Sequence, residues 1–313
     1  MARYLTRRLL QAIPLLIVIS LLTFLIVEIA PGDAAQMYID PNKGTDPAYI
    51  QQVRQSLGLD QPVYVRYVGW LRQTLSGDLG FSFRNRRSVV LEVGDRLPNT
   101  LLLSGLSLVI SFLLAVPIGV ISALKRYTLL DYVLSTAALA GISIPIFWVA
   151  LLLIQVFAIQ LDWLPATGMR DVRANYTGWE ANVDVLRHMI LPTITLSLAQ
   201  IASWSRYQRS ALLEVLGQDY MRTAQGKGLR ERRVLLVHAL RNALIPMVTL
   251  LGISVPTVVT GAFITETIFS WPGIGRLGVE AVTGRDYPVI MAVTMLSALL
   301  IVVGNLLADL AYA

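Results

Sequence analysis

The sequence contains no cysteine. Disulfides, thiolate metal ligands and a cysteine nucleophile are therefore excluded, while the compartment is left open. Histidine is nearly absent as well. His188 and His238 are the two present, and neither belongs to an H-E-x-x-H zinc pattern. Each is expected at a membrane interface rather than in catalysis. Charge is scarce: Asp, Glu, Lys and Arg make up 15% of the 313 residues, against about 25% in soluble domains. The longest apolar runs hold almost no ionisable group, since Glu28, Glu266 and Asp309 lie near their ends and Asp131 precedes one of them. A charge at a bilayer centre costs about 2.5–3.5 kcal/mol and usually marks an ion or proton path. Its absence weighs against an ion-driven carrier, although polar atoms alone can bind sodium. No intramembrane carboxylate pair suggests acid–base work.

What is present is hydrophobic. Apolar residues make up 55% of the chain, and the mean hydropathy is +0.61. A bilayer removes the cost of exposing such runs to water, so the chain reads as an all-α integral membrane protein. Six segments approach the roughly 20 residues needed to span: Leu9–Ala30, Leu101–Leu124, Tyr132–Ile159, Met189–Trp204, Ala243–Ile264 and Val289–Leu310. The fourth is the weakest, because it carries Thr193, Thr195, Ser197, Gln200 and Ser203. Gly141 and Pro145 interrupt the third, which predicts a kink. Pro14, Pro117, Pro145, Pro246 and Pro256 all need neighbours to satisfy freed backbone groups, which favours a packed bundle. The first segment is longer than a signal-peptide core and lacks a clear cleavage site, so an uncleaved helix is expected.

The net charge of +6 could suggest nucleic acid, but the cations sit between apolar spans. Topology explains them, and no nucleic-acid partner is expected. Arg3, Arg7 and Arg8, then Lys125 and Arg126, then a run from Arg206 to Arg241 all fall on one side, which predicts cytoplasmic N- and C-termini. The segment between the first two spans is then external. "DPAYIQQVRQSLGL" patterns as an amphipathic helix with Ile50, Val53 and Leu57 on one side and Gly58 at its end. "VYVRYVGWLRQTL" offers a second helix and "GDLGFSF" a turn. A small cap packed on the bundle is expected.

The basic stretch "QDYMRTAQGKGLRERRVLLVHALRNALIP" (218–246) separates two spans. Asp219 is a good N-cap, and Tyr220, Thr223, Ala224 and Lys227 follow at helical spacing. Gly226 and Gly228 can stop the helix and turn the chain. A second helix is expected from about Arg230. The result is a short helix between two steep ones, with Ala224 and Tyr220 facing whatever docks. Its cations, Arg222 among them, could meet acidic groups or lipid headgroups. "MRTAQGKG" fails as a phosphate loop, with Met221 in place of the first glycine and Gly228 in place of the hydroxyl, so no ATP site is expected in this chain. Ser143, Ser254, Thr257, Thr260 and Gly261 could line a pore or serve helix packing, where small residues concentrate. The glycines and Pro272 of "FSWPGIGRL" imply a tight re-entrant turn; the stretch could also act as a gate or meet an external partner, with Trp271 as the position to probe.

The basic stretch resembles the loop of binding-protein-dependent ABC importer permeases, whose pattern is Glu-Ala-Ala, three residues, Gly, nine residues, Ile-x-Leu-Pro. Ala224, Gly228 and Leu240 match; Arg222, His238 and Arg241 stand where the pattern has Glu, Ile and Pro. Those departures are similar to the dipeptide, oligopeptide and nickel branch, as are "RYLTRRLLQAIPLLIVISLLTFLIVEIAPGD", "SGDLGFSF", "RLPNTLLLS", "ETIFSWPGIGRLGVEAV", "RDYPVIMA" and "NLLADLAYA". The resemblance implies a type I permease fold with six transmembrane helices. It divides the chain into a first helix (1–30), an external segment (31–96) and a transmembrane domain (97–310) carrying a coupling loop (214–241). It implies a prokaryotic inner-membrane subunit beside a second homologous permease, two ATPases that bind ATP and Mg, and an extracytoplasmic substrate-binding protein. Asp219, Tyr220, Arg222, Thr223, Ala224, Lys227 and Gly228 would couple to an ATPase. Peptide is the expected substrate, with nickel chelates and sugar oligomers open. The family's basic tail sets the expectation that the native chain continues past Ala313. A stand-alone carrier or channel, or a scaffold recruiting a cytoplasmic partner, are the rival readings.

Overall fold

The computed structural model describes residues 2–29, 51–52, 54–55, 58, 60–228, 230–260 and 262–312. Among them the regular structure is helical, with a single isolated bridge between Phe81 and Ser88. We number the helices α1 (Ala2–Ile29), α2 (Val63–Leu75), α3 (Val89–Leu124), α4 (Leu129–Ser143), α5 (Ile146–Leu153, widening into a π-helical stretch Ile154–Gln160), α6 (Gly178–Leu216), α7 (Asp219–Gly226), α8 (residues 231–243), α9 (Ile245–Thr260), α10 (Phe263–Ile268), α11 (Ile274–Gly284) and α12 (Tyr287–Tyr312). Five helical stretches are long and apolar enough to cross a membrane, one of them Glu231–Pro256 running through α8 and α9, and α4 with α5 make a sixth crossing if the pair, bent by 103°, counts as one. The expected kink at Gly141–Pro145 is thus a sharp break. Pro145 sits immediately before α5, where it cannot donate to the helix before it.

The fourth span is far longer than its hydropathy suggests. α6 has 39 residues, about 58 Å of helix. Of the residues that weakened its signal, three face inward and Gln200 and Ser203 are half-buried. Thr193, Thr195 and Ser197 are buried, and the Ser197 hydroxyl donates to the Ser107 carbonyl oxygen at 3.1 Å. The Thr195 hydroxyl donates back to the Leu191 carbonyl oxygen of its own helix, and burial keeps these polar groups away from lipid, so a central helix tolerates low hydropathy. α3, with 36 residues, also starts well before the segment read from the sequence.

The chain divides into two compact units, Met1–Leu97 with Leu277–Leu300, and Pro98–Arg276 with Ile301–Ala313. In the first, α2 lies on α1. Ser20, Phe24 and Glu28 recur every fourth residue on one face of α1. Ser20 bonds the Tyr67 hydroxyl at 2.8 Å, Phe24 meets the Tyr67 ring edge-on at 5.5 Å, and Glu28 accepts from Arg66 at 2.6 Å. The sequence-read second helix and its turn are therefore present, the turn at Gly77 and Gly80 with φ of +87° and +78°. Of the earlier amphipathic helix, Ile50, Val53 and Leu57 lie outside the described residues, while Gly58 has φ +64°. The carboxylate of Asp286 organises the loop before α3, accepting from the Ser82 hydroxyl at 2.5 Å and from the N–H groups of Phe83 and Arg84 at 3.0 and 3.3 Å.

In the second unit, glycines set the closest helix approaches. A Cβ on Gly119 would lie 2.6 Å from both the Ser205 carbonyl oxygen and Gln208 Cβ. One on Gly304 would lie 2.8 Å from the Pro256 ring, so α12 packs directly on the proline of α9.

Candidate functional site

The basic stretch folds as two helices on an apolar seat. α7 begins at Asp219 itself, so this residue stands in the first turn rather than at the N-cap. Its charge there favours the helix dipole. Asp219 is 97% exposed and Arg222 lies 3.6 Å away, also exposed. The Thr223 hydroxyl donates to the Asp219 carbonyl oxygen at 3.1 Å.

Ala224 does not face outward, contrary to the expectation from spacing. It is buried with Met221, three residues earlier, against Ala123, Leu212, Val234, Ala239 and Ala243. The seat comes from the end of α3, the end of α6 and one face along α8. A small residue at 224 lets α7 lie close to these helices, which a larger side chain would wedge apart. Val234 and Ala239, five residues apart, both reach the seat because α8 is π-helical from Val234 to Ala239, and i→i+5 bonding stacks residues at that spacing.

The exposed face of α7 presents Asp219, Tyr220, Arg222, Thr223 and Lys227. Tyr220 is anchored as well as exposed: its hydroxyl accepts from the Asn242 amide at 3.0 Å. Gly228 has φ +75° with open space around its Cα, the left-handed turn that ends the helix. Arg230, Glu231, Arg232 and Arg233 follow, all exposed. This arrangement can hold a short rigid ridge toward a partner. Among the described residues, no three His, Asp or Glu side chains gather as a metal site.

The residues suggested as pore lining are scattered. Ser143 is exposed at the end of α4 and donates to its own helix at Leu139. Ser254 is partly buried on α9. The side chains of Thr257 and Thr260, and Gly261 entirely, lie outside the described residues.

In the "FSWPGIGRL" stretch, Trp271 points inward. It is 0% exposed, packed with Leu103, Val185 and Met189, and its indole N–H donates to the Asn99 carbonyl oxygen at 2.9 Å. The tight turn is present, and this side chain is part of its core rather than its surface. Beneath it sits Glu266, 0% exposed, whose carboxyl oxygens accept from the Thr100 hydroxyl at 2.9 Å and the Arg276 N–H at 3.0 Å. Gly273 and Gly275 are the reason the turn can close on that carboxyl group, since a Cβ on either would collide with it.

A second polar cluster escaped sequence reasoning. Asp131, in the first turn of α4, is buried. Arg209 of α6 donates to it through Nε and Nη2, both at 2.8 Å; Ser122 of α3 donates at 2.5 Å and the Tyr127 N–H at 3.0 Å. In the sequence Asp131 looked like a flanking charge and Arg209 like one more loop cation. Their separation of 78 residues gave no local signal.

The profile of the family described as "Binding-protein-dependent transport system inner membrane component" matches residues 115–313, and that of its N-terminal region matches residues 1–104. The oligopeptide transport system permease protein AppB of Bacillus subtilis (strain 168) is 42% identical over 314 residues, covering 100% of this chain and 98% of that protein. The glutathione transport system permease protein GsiC of Escherichia coli (strain K12) is 40% identical over 313 residues, covering 100% and 97%. Two profiles in order, end-to-end relatives and a helical membrane fold agree with the motif resemblance, and the chain belongs to the binding-protein-dependent transport system inner membrane components, the multi-pass permeases of ABC importers.

Proposed function

We propose that this chain forms half of the translocation pore of an ATP-driven importer of short peptides, with α7 docked on one of two cytoplasmic ATPases. The carrying observation is the build of α7: a helix fixed from below by Met221 and Ala224 and exposed above along Tyr220, Thr223 and Lys227. A helix seated on three others can pass a push into the bundle, which a loose basic loop on lipid cannot. The chain holds no phosphate loop of its own, so ATP and Mg belong to the ATPases, and hydrolysis is theirs. A second, homologous permease completes the pore. An extracytoplasmic binding protein delivers the substrate. The basic segments support cytoplasmic N- and C-termini. Relatives named for oligopeptide and glutathione transport support a peptide-sized substrate.

The test is a mild-detergent pull-down of the tagged chain from its native membranes, followed by uptake of labelled di- and tripeptides in vesicles reconstituted with the recovered complex. Recovery of a second permease and ATPases, with ATP-dependent uptake, supports the reading. Recovery of the chain alone, in a preparation where a known membrane complex stays intact, overturns it. Uptake without ATPases would favour a carrier.

A further inference from the structure

The apolar seat of α7 and the Asp131 cluster are built on the same two helix ends. On α3, Ser122 donates to Asp131 and the next residue, Ala123, packs under α7. On α6, Arg209 grips Asp131, and Leu212, one turn further on, is fully buried under α7. Asp131 itself belongs to α4, which contributes nothing to that seat. The carboxylate is thus the point where α4 is fastened to the two helices that carry α7.

We infer that the Asp131–Arg209 pair is a transmission pin: it makes α4 follow α7, so that a displacement at the docking ridge reaches the α4–α5 break. The inference rests on the proposed docking of α7. Geometry supports it at both ends of α4. Near its start, two parallel hydrogen bonds from one guanidinium fix distance and angle together, and the carboxylate is buried. Near its end, a Cβ on Gly141 would lie 3.2 Å from the Ala202 methyl on α6. α4 and α6 are therefore clamped at two levels, by a charged pair and by close backbone approach. A third tie binds α3 to α6, where Gly119 lets the helices meet at Ser205 and Gln208. Three helices fastened in this way move as one body. The 103° break lies just beyond Gly141, where the rigid body ends and a gate could pivot. Asp131 and Arg209 are positioning residues in this scheme and touch no substrate.

Removing one partner would leave a buried charge and could prevent folding, so the chosen variant is D131L/R209M, which replaces the pair with apolar groups of similar size. The full complex is reconstituted in nanodiscs, with cysteines introduced for spin labels at the exposed positions Leu130 on α4 and Gln218 immediately before α7, outside the docking face; the chain has no cysteine of its own. The wild type is expected to give one narrow distance that is the same with and without ATP and vanadate. The double variant is expected to give a broadened distance that shifts on trapping. In proteoliposomes, the ATP hydrolysed per labelled tripeptide imported is expected to rise about tenfold while the ATPases stay bound. Identical distances in both proteins, a nucleotide-dependent distance in the wild type, or an unchanged ATP-to-peptide ratio would each overturn the pin. So would loss of the ATPases from the variant alone, because the pair would then shape the dock rather than transmit from it. Absence of ATPases from the wild-type complex strikes the importer reading instead, and the label distances still decide whether α4 is fastened.

Discussion

The Thr100 hydroxyl donates to the buried Glu266 carboxyl group at 2.9 Å and accepts the Ile274 N–H at 2.7 Å. One hydroxyl on α3 thus ties α10, which carries Glu266, to the start of α11, 166 residues along the chain from its carboxyl partner. Replacing Glu266 with Gln either sets an amide N–H₂ against the Arg276 N–H, two donors face to face, or turns it to the Thr100 hydroxyl, which must then accept and leave its own proton without the carboxyl oxygen it now bonds. The expected loss is about 1–3 kcal/mol, read as a lower apparent unfolding temperature of the detergent-solubilised chain. Gly273→Ala is expected to lower it too, by collision with the same group. Unfolding at the wild-type temperature in both variants would show that the turn does not depend on this carboxyl.

Gly228 separates backbone strain from partner clash. Its φ of +75° costs a residue with a Cβ about 1–2 kcal/mol, whereas Asn tolerates the region. Gly228→Ala, which carries that strain without bulk in open space, is expected to keep both ATPase recovery and uptake, as is Gly228→Asn. Gly228→Trp fits the open space in the isolated chain but projects where an ATPase would sit. It is expected to lose the ATPases in a pull-down or to hydrolyse ATP without uptake. Full uptake by the Trp variant would remove α7 from the docking role.

The two faces of α7 should respond differently. Met221→Ala empties part of a buried seat and is expected to cost about 2–5 kcal/mol of stability. Thr223→Ala, on the exposed face, is expected to change stability by less than about 0.5 kcal/mol yet weaken ATPase recovery. The check is one thermal melt and one pull-down for each variant. A Thr223 variant that melts early, or a Met221 variant that does not, would reverse the assignment of faces.

Asp286 should control protease access to the loop before α3. Asp286→Asn disturbs the bonds from Ser82, Phe83 and Arg84, an expected loss of about 2 kcal/mol. Arg84, Arg86 and Arg87 are exposed in that loop, so trypsin should cut the variant there faster than the wild type. Equal cutting rates would mean that the loop is held by other contacts.

The sequence by itself determined the class, the crossings and the family. Long apolar runs with almost no central charge admit few structures other than a membrane bundle, and the separated motifs named the family without any tertiary information. α2, the turn at Gly77–Gly80, the break near Pro145 and the helix at Asp219 were legible because propensity, proline geometry and glycine φ act locally. Tertiary structure decided which way side chains point. Spacing put Ala224 on the same footing as Thr223, and only the presence of Leu212, Val234 and Ala239 beneath it turned Ala224 inward. Trp271 read as a loop aromatic until Leu103 and Met189 enclosed it. The pairs Asp131–Arg209 and Thr100–Glu266 join distant parts of the chain, and a buried charge or carboxyl looks like any other in the sequence until its partner is placed. Hydropathy reports the solvent a helix faces on average. It cannot report that a polar helix such as α6 is shielded by its neighbours, which is a property of the assembled bundle.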